Sequence, residues 1–332
     1  MIALKRFVNK KFYIPALIVL IILIFGLALK SNFFIMKEIK PASIGKEKTT
    51  PDKTASITKK SLSLSASSQD ISHNTPMPDS TRTKPETKPT AQQQTSIAAL
   101  SNSKYGWGLK TNTEHHQPEV PASINNTLIK YKAYWIGNPS DKVVYLTFDE
   151  GYENGYTPKI LDILKSNNVS AAFFVTGHYL KSQPDLVKRM VNEGHIVGNH
   201  TDSHPSMPDI SDDQIKKELQ IVEKEYQAIT GLKGMTYLRP PMGEYSERTL
   251  ALTNELGYHN IFWSIALVDW VPMPNGSEQA YQGVMGRLHN GALILLHAIS
   301  KDDTEALDKI IKDVKAQGYT FKTLDDLVKV KA

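Results

Sequence analysis

Residues 104–332 are predicted to form an α/β domain on a parallel sheet, either doubly wound or closed into a barrel. Three observations carry that reading. Short runs of β-branched and aromatic residues alternate with segments of helical periodicity over roughly 190 residues, the pattern of repeated βα units. Acidic, histidine and arginine residues recur at the carboxyl ends of those runs, the rim where α/β folds build their sites. Composition also changes near residue 104, where a polar tract poor in core-forming residues gives way to a sequence able to fill an interior.

The elements follow in chain order. "VVYLTF" (143–148) reads as a first strand. "TPKILDILKSNN" (157–168) has helical spacing at Ile160, Leu161 and Leu164. "SAAFFV" (170–175) is again strand-like, and "PDLVKRMVNEG" (184–194) is a helix with Pro at its start and Gly at its end. "HIVGNH" (195–200) is the next strand. Ser211 with Gln214 resembles a capping box opening a helix over 211–229. The strand "TYLR" (236–239), a helix over 246–256, the strand "NIFWSI" (260–265), a helix over 278–289, the strand "ALILLH" (292–297), a helix over 303–317 and "YTF" (319–321) complete the series.

The chain before this domain is of another kind. Residues 1–11 form a basic tail with Lys5, Arg6, Lys10 and Lys11. An uninterrupted apolar run from Phe12 to Leu29 follows, about 18 residues long and near the lower limit for spanning a bilayer. The preceding positive charge places the N-terminus inside and the rest outside. A transmembrane anchor over 12–30 is the reading adopted; a signal peptide cleaved near Gly26-Leu27-Ala28 is the alternative. Residues 31–103 are rich in Ser, Thr, Pro and Lys and read as a disordered tether with an r.m.s. span of roughly 40 Å. The expected location is therefore the outer face of the cell membrane.

There are no cysteines, which excludes disulfides, thiolate metal sites and cysteine nucleophiles. The net charge of +5 and pI near 9.0 suit a tether facing an anionic wall or lipid surface. No arginine-rich or aromatic-interleaved basic stripe supports nucleic-acid binding. A monomer is expected.

The candidate chemistry sits at strand ends. Asp149 and Glu150 close the first strand, His200 the third and Arg239 the next; Asp269 lies just beyond "FWSIAL", and His297 ends "ALILLH". Adjacent side chains on a strand point to opposite faces, so Asp149 and Glu150 should not share one role. His200 and His204 stand four apart in "NHTDSH", and Pro205 makes a turn the expected geometry. Two neutral imidazoles facing one ion suit zinc, cobalt or nickel, and a carboxylate at a neighbouring strand end is the natural third donor. Amide hydrolysis needs an activated water, a stabilised oxyanion and a proton for the departing amine. A metal, Asp149 and His297 could supply them.

"TFDEG", "HTDSH", "RPPMG", "VDW" and "LLH" occur in the order and spacing of the polysaccharide deacetylases, carbohydrate esterase family four. The resemblance runs from Val143 to Leu327. "TFDEGYENGYTPKILDILK", "RPPMGEYSE", "FWSIALVDW" and the terminal "EALDKIIKDVKAQGYTFKTLDDL" resemble more narrowly the delta-lactam-biosynthetic de-N-acetylases, the peptidoglycan N-acetylmuramic acid deacetylases of spore-forming bacteria; "WGLKTNTEHHQPEVP" (107–121) resembles their lead-in.

The resemblance implies a distorted (β/α) barrel of the NodB homology type and a role for each residue. Asp149 corresponds to the general base, His200 and His204 to metal ligands, and Arg239 to the arginine that orients the base and keeps it ionised. Asp269 corresponds to the acid that orients His297, and His297 to the general acid. Trp270 and Leu295 correspond to apolar walls beside the acetyl methyl, and the backbone N–H of Met242 to an oxyanion donor. Tyr152 follows the first motif on the rim, where a substrate-groove role and simple loop packing both fit. The implied cofactor is a divalent metal, zinc, with cobalt or manganese as alternatives; the implied partner is a peptidoglycan glycan strand.

Glu150 departs from the family's pattern, in which a second Asp ligates the metal; the lactam subgroup commonly carries Asn there. Either Glu150 completes a His-His-Glu set, the reading adopted, or two histidines hold the ion with waters and Glu150 stands behind them. The activity implied is de-N-acetylation of muramic acid, leading to the muramic delta-lactam. Deacetylation of N-acetylglucosamine in peptidoglycan or of another polysaccharide is the alternative, and a catalytically silent, membrane-tethered glycan binder is the rival from another class.

Overall fold

The computed structural model describes residues 96–110 and 112–330. The segments expected as basic tail, anchor and tether lie outside the described residues up to residue 95; residues 96–103, expected in the tether, instead join the domain, where Asn102 donates to the Pro208 carbonyl at 2.9 Å and accepts from the Ser246 hydroxyl at 2.9 Å. Among those described, no helix is long and apolar enough to cross a membrane.

The strands are β1 (Tyr105–Gly106), β2 (Ala133–Tyr134), β3 (Val143–Glu150), β4 (Ala172–Val175), β5 (Ile196–Asn199), β6 (Tyr237–Leu238), β7 (Glu244–Tyr245), β8 (His259–Ile261), β9 (Ile265–Ala266), β10 (Ala292–His297) and β11 (Thr320–Phe321). The helices are α1 (Ala122–Lys130), α2 (Thr157–Ser166), α3 (Gly177–Ser182), α4 (Pro184–Asn192), α5 (Asp212–Thr230), α6 (Glu247–Glu255), α7 (Gly276–Met285), α8 (Lys301–Ala316) and α9 (Leu324–Val330).

The main sheet runs β2-β8-β6-β5-β4-β3-β10-β9, with β11 also on β3, and its pairings are parallel. β3 lies inside it, between β4 and β10, and is buried along its whole length, as a strand covered on both faces must be. Its apolar residues Val144, Leu146 and Phe148 enter the largest core cluster with Phe173, Leu161 and Ile294. The capping box expected at Ser211 is present, with Gln214 returning a bond to the Ser211 backbone, and left-handed Gly231 ends α5.

The structure splits the single strand expected over 260–265. The backbone N–H of Phe262 bonds the Tyr134 carbonyl on β2, whereas that of Ser264 bonds the Leu293 carbonyl on β10. The chain therefore passes between the two ends of the sheet within three residues, leaving Trp263 across the gap. β2 and β9 do not pair with each other, so the sheet is a distorted, incompletely closed barrel. A small antiparallel ribbon, β1 with β7, brings the lead-in segment beside the "RPPMG" turn.

Candidate active site

β3 and β10 run in parallel register, with His297 opposite Asp149 at their carboxyl ends. The pleat turns Asp149 into a cavity of about 660 Å³ above the sheet. It turns Glu150 the other way. The Glu150 carboxylate is fully buried and accepts from the Thr157 hydroxyl at 3.3 and 3.4 Å. Burial, then the neighbouring Glu153, pushes its pKa well above the ordinary carboxylate range. Glu150 thus stands behind β3, away from the cavity. The expected His-His-Glu set is not assembled, because strand alternation separates this carboxylate from the base one residue earlier.

Arg239 lies beneath Asp149 with no exposed surface. Its Nη1 donates to Asp149 Oδ1 at 2.6 Å, its Nη2 to Thr147 Oγ1 at 2.8 Å and its Nε to the Ile261 carbonyl at 3.1 Å. The guanidinium also stacks 4.2 Å from the Phe174 ring centre. Burial acts to raise the Asp149 pKa, but Arg239, followed by His200 and His297, outweighs it and holds the carboxyl below its ordinary value.

The two histidines come together on a turn. The Asn199 side chain accepts from Thr201 N–H at 2.8 Å, and the Thr201 hydroxyl accepts from His204 N–H at 3.0 Å. Thr201 and His204 both adopt left-handed backbone, with φ of 65° and 58°. This places the rings 4.8 Å apart. His200 Nδ1 donates to the Arg239 carbonyl at 2.8 Å, and its Nε2 is 3.5 Å from Asp149 Oδ2.

On the other side, Asp269 Oδ1 accepts from His297 Nδ1 at 2.7 Å and Oδ2 from the His297 backbone N–H at 2.8 Å. Burial alone would lower the His297 pKa; the bond and charge of Asp269 reverse this and raise it. Trp270 meets the His297 ring edge-on with centroids 5.5 Å apart, yet remains 57% exposed. Buried Leu295 forms part of the wall, and exposed Tyr152 and Met242 stand on the rim. Met242 has φ 58°, which folds the "PPMG" turn tightly against the cavity.

Trp107 and Trp263 also line this cavity. The Trp107 indole N–H donates to the Trp263 carbonyl at 2.9 Å, and its backbone N–H to the Gly243 carbonyl at 2.9 Å. Gly243 is obligatory beneath them: it has φ 64°, and a Cβ there would lie 2.7 Å from the Trp263 ring.

A family model described as polysaccharide deacetylase matches residues 136–261. The peptidoglycan-N-acetylmuramic acid deacetylase PdaA of Bacillus subtilis is 48% identical over 231 residues, covering 69% of this chain and 88% of the relative. The chain belongs to the polysaccharide deacetylase family. The solved structure of Bacillus subtilis PdaA, a family 4 carbohydrate esterase, superposes with a TM-score of 0.67, covering 70% of this chain and 100% of that one. A peptidoglycan-N-acetylglucosamine deacetylase of Bacillus cereus is 36% identical, covering 59% of this chain and 72% of the relative. As a polysaccharide deacetylase, the protein is a hydrolase acting on C–N bonds.

Polysaccharide deacetylases generally use a divalent metal. The donor chemistry here fits one held by two imidazoles. Burial lowers the His200 pKa to about 4 and lowers that of His204, so both rings are neutral at pH 7 with lone pairs to give. Among the described residues no third His, Cys, Asp or Glu joins them in a ligand group.

Proposed function

We propose that this polysaccharide deacetylase is a metal-dependent peptidoglycan N-deacetylase acting on N-acetylmuramic acid. The observation that carries the reading is a pair of opposite groups across one cavity: a carboxylate kept ionised by Arg239 and an imidazole whose proton is retained by Asp269. The similarity to the muramic acid deacetylase PdaA, over most of that protein's length, supports the choice of sugar.

A divalent ion held by His200 and His204, zinc by the softness of its donors, would supply Lewis acidity toward water and the acetyl carbonyl. The chain's own groups move the protons. Asp149 takes a proton from the attacking water as its oxygen bonds the acetyl carbon. The Met242 backbone N–H donates to the oxygen on which charge develops. His297, protonated and oriented by Asp269, gives its proton to the amide nitrogen as the C–N bond breaks. Acetate and a free amine leave. Leu295 and Trp270 exclude water around the acetyl methyl, and Tyr152 lines the sugar groove.

The freed amine of a muramic acid residue lacking its peptide lies next to the lactyl carboxyl, and closing the two with loss of water gives the delta-lactam. The segment 12–30 anchors the protein in the cell membrane, and the tract from residue 31 to residue 95 lets the domain reach the wall as a monomer. Acetate release from purified wall glycan, measured for the wild-type chain beside Asp149→Asn and His200→Ala, tests the mechanism. Release from wild type alone is expected; equal release from all three would defeat it.

A further inference from the structure

Asp303 is a buried acid that the reaction above does not use. It lies in the first turn of α8, where the Ser300 hydroxyl accepts from its backbone N–H at 3.2 Å. It is 2% exposed, and among the described residues no donor meets hydrogen-bond geometry at either carboxyl oxygen. The polar groups beside it are the Asp269 carboxyl, Asp302 and the Ser300 hydroxyl. Asp302 is engaged elsewhere, accepting from the Met273 backbone N–H at 2.8 Å.

An anion in this position would face burial and two like charges, and a carboxylate so placed neutralises instead. The neutral acid has one O–H to give, and Asp269 is the acceptor beside it. The two carboxyls hold one proton between them. Asp269 already receives two donors from His297, which favour its anion, so the proton resides on Asp303.

We propose that Asp303 is held as the neutral acid and donates its O–H to Asp269, so that His297, Asp269 and Asp303 form one hydrogen-bonded chain in which Asp303 is a positioning residue for the general acid. Burial and then Asp269 push the Asp303 pKa up to about 10, far from the ordinary 3.8. Asp269 moves the other way: burial opposes its charge, but its hydrogen bonds, His297 first, hold it below the ordinary value. Successive bonds in such a chain polarise one another, and loss of the outer link loosens the inner one. The effect on turnover rests on the deacetylase reading; the protonation state of Asp303 does not.

The test pairs a spectroscopic and a kinetic readout on the full-length chain. Infrared difference spectra at pH 7 between wild type and Asp303→Asn should show a protonated-carboxyl stretch in wild type that the variant lacks. Asn can donate an N–H to Asp269 in the same place, so its kcat should stay within about threefold of wild type. Asp303→Ala removes the donor, and its kcat should fall about tenfold or more at nearly constant KM. Absence of the protonated-carboxyl stretch, or an Asn variant as impaired as Ala, would overturn the proposal. Where Ala does not fold, the Asn spectrum and kinetics decide alone. The stretch in a wild type that releases no acetate would support the protonation state and instead count against the deacetylase reading.

Discussion

Glu150→Gln separates a structural Glu150 from a metal-binding one. In the fold Glu150 is buried behind β3, its carboxylate bonded among the described residues to the Thr157 hydroxyl, with its pKa raised by burial and by Glu153. In the unfolded chain it titrates near the ordinary value of about 4.3. Between those two values the unfolded chain releases a proton that the folded one keeps. The contribution of Glu150 to stability is therefore fully present below the unfolded pKa and is lost as pH rises toward the folded one. The slope reaches about 1.4 kcal/mol per pH unit within that window. Gln keeps the shape, an acceptor for Thr157 and no titratable proton, so that slope should vanish. Denaturant melts of wild type and Glu150→Gln at pH 4, 6 and 8 should coincide within about 1 kcal/mol at pH 4. At pH 8 the variant should be the more stable. Zinc affinity, measured by competition with a chelator, should change less than threefold, whereas losing a direct ligand would weaken it by far more than the 10–100-fold typical of groups behind the ligands. A variant of unchanged stability slope and tenfold weaker metal binding would refute this placement of Glu150.

Three further outcomes follow from the same geometry. Asp149→Asn should lower acetate release by about 100- to 10,000-fold while circular dichroism shows the fold intact. Arg239→Met leaves a buried carboxylate without its partner, so a loss of about 3–5 kcal/mol is expected in denaturant melts; the acid limb of kcat/KM should move to higher pH, since the largest charge opposing burial at Asp149 is gone and only His200 and His297 still act against it. Activity should fall as pH rises through the raised pKa of His297, and Asp269→Asn, which removes what raises it, should bring that alkaline limb to lower pH.

Much of the site was legible because parallel sheets put chemistry at strand ends, and Asp149, Arg239 and His297 all sit there. The turn imposed by Pro205 was legible for the same local reason. Glu150 shows two sequence arguments in conflict: strand alternation sends it away from Asp149, whereas its place in the motif suggests ligation, and the backbone geometry prevails. Thr147, which fixes the Arg239 fork, looks in sequence like any β-branched strand residue. Trp107 reaches the cavity through bonds to Gly243 and Trp263, more than a hundred residues away, so no local pattern could announce it. Trp263 was hidden by the apparent continuity of "NIFWSI", which the backbone breaks to cross between the two ends of the sheet. In sequence Asp303 is no more than the first residue of the helix expected over 303–317; its burial against Asp269 distinguishes it from Asp302 beside it.

The central claim is that the Asp149–His297 cavity removes acetyl groups from muramic acid. Mass-spectrometric mapping of glycan strands stripped of peptide, after incubation with the zinc-loaded full-length chain, tests it most directly. Free amines confined to muramic acid residues, formed in step with acetate and absent with Asp149→Asn, are the expected result. Free amines on glucosamine residues alone, or none on any wall glycan, would contradict the account.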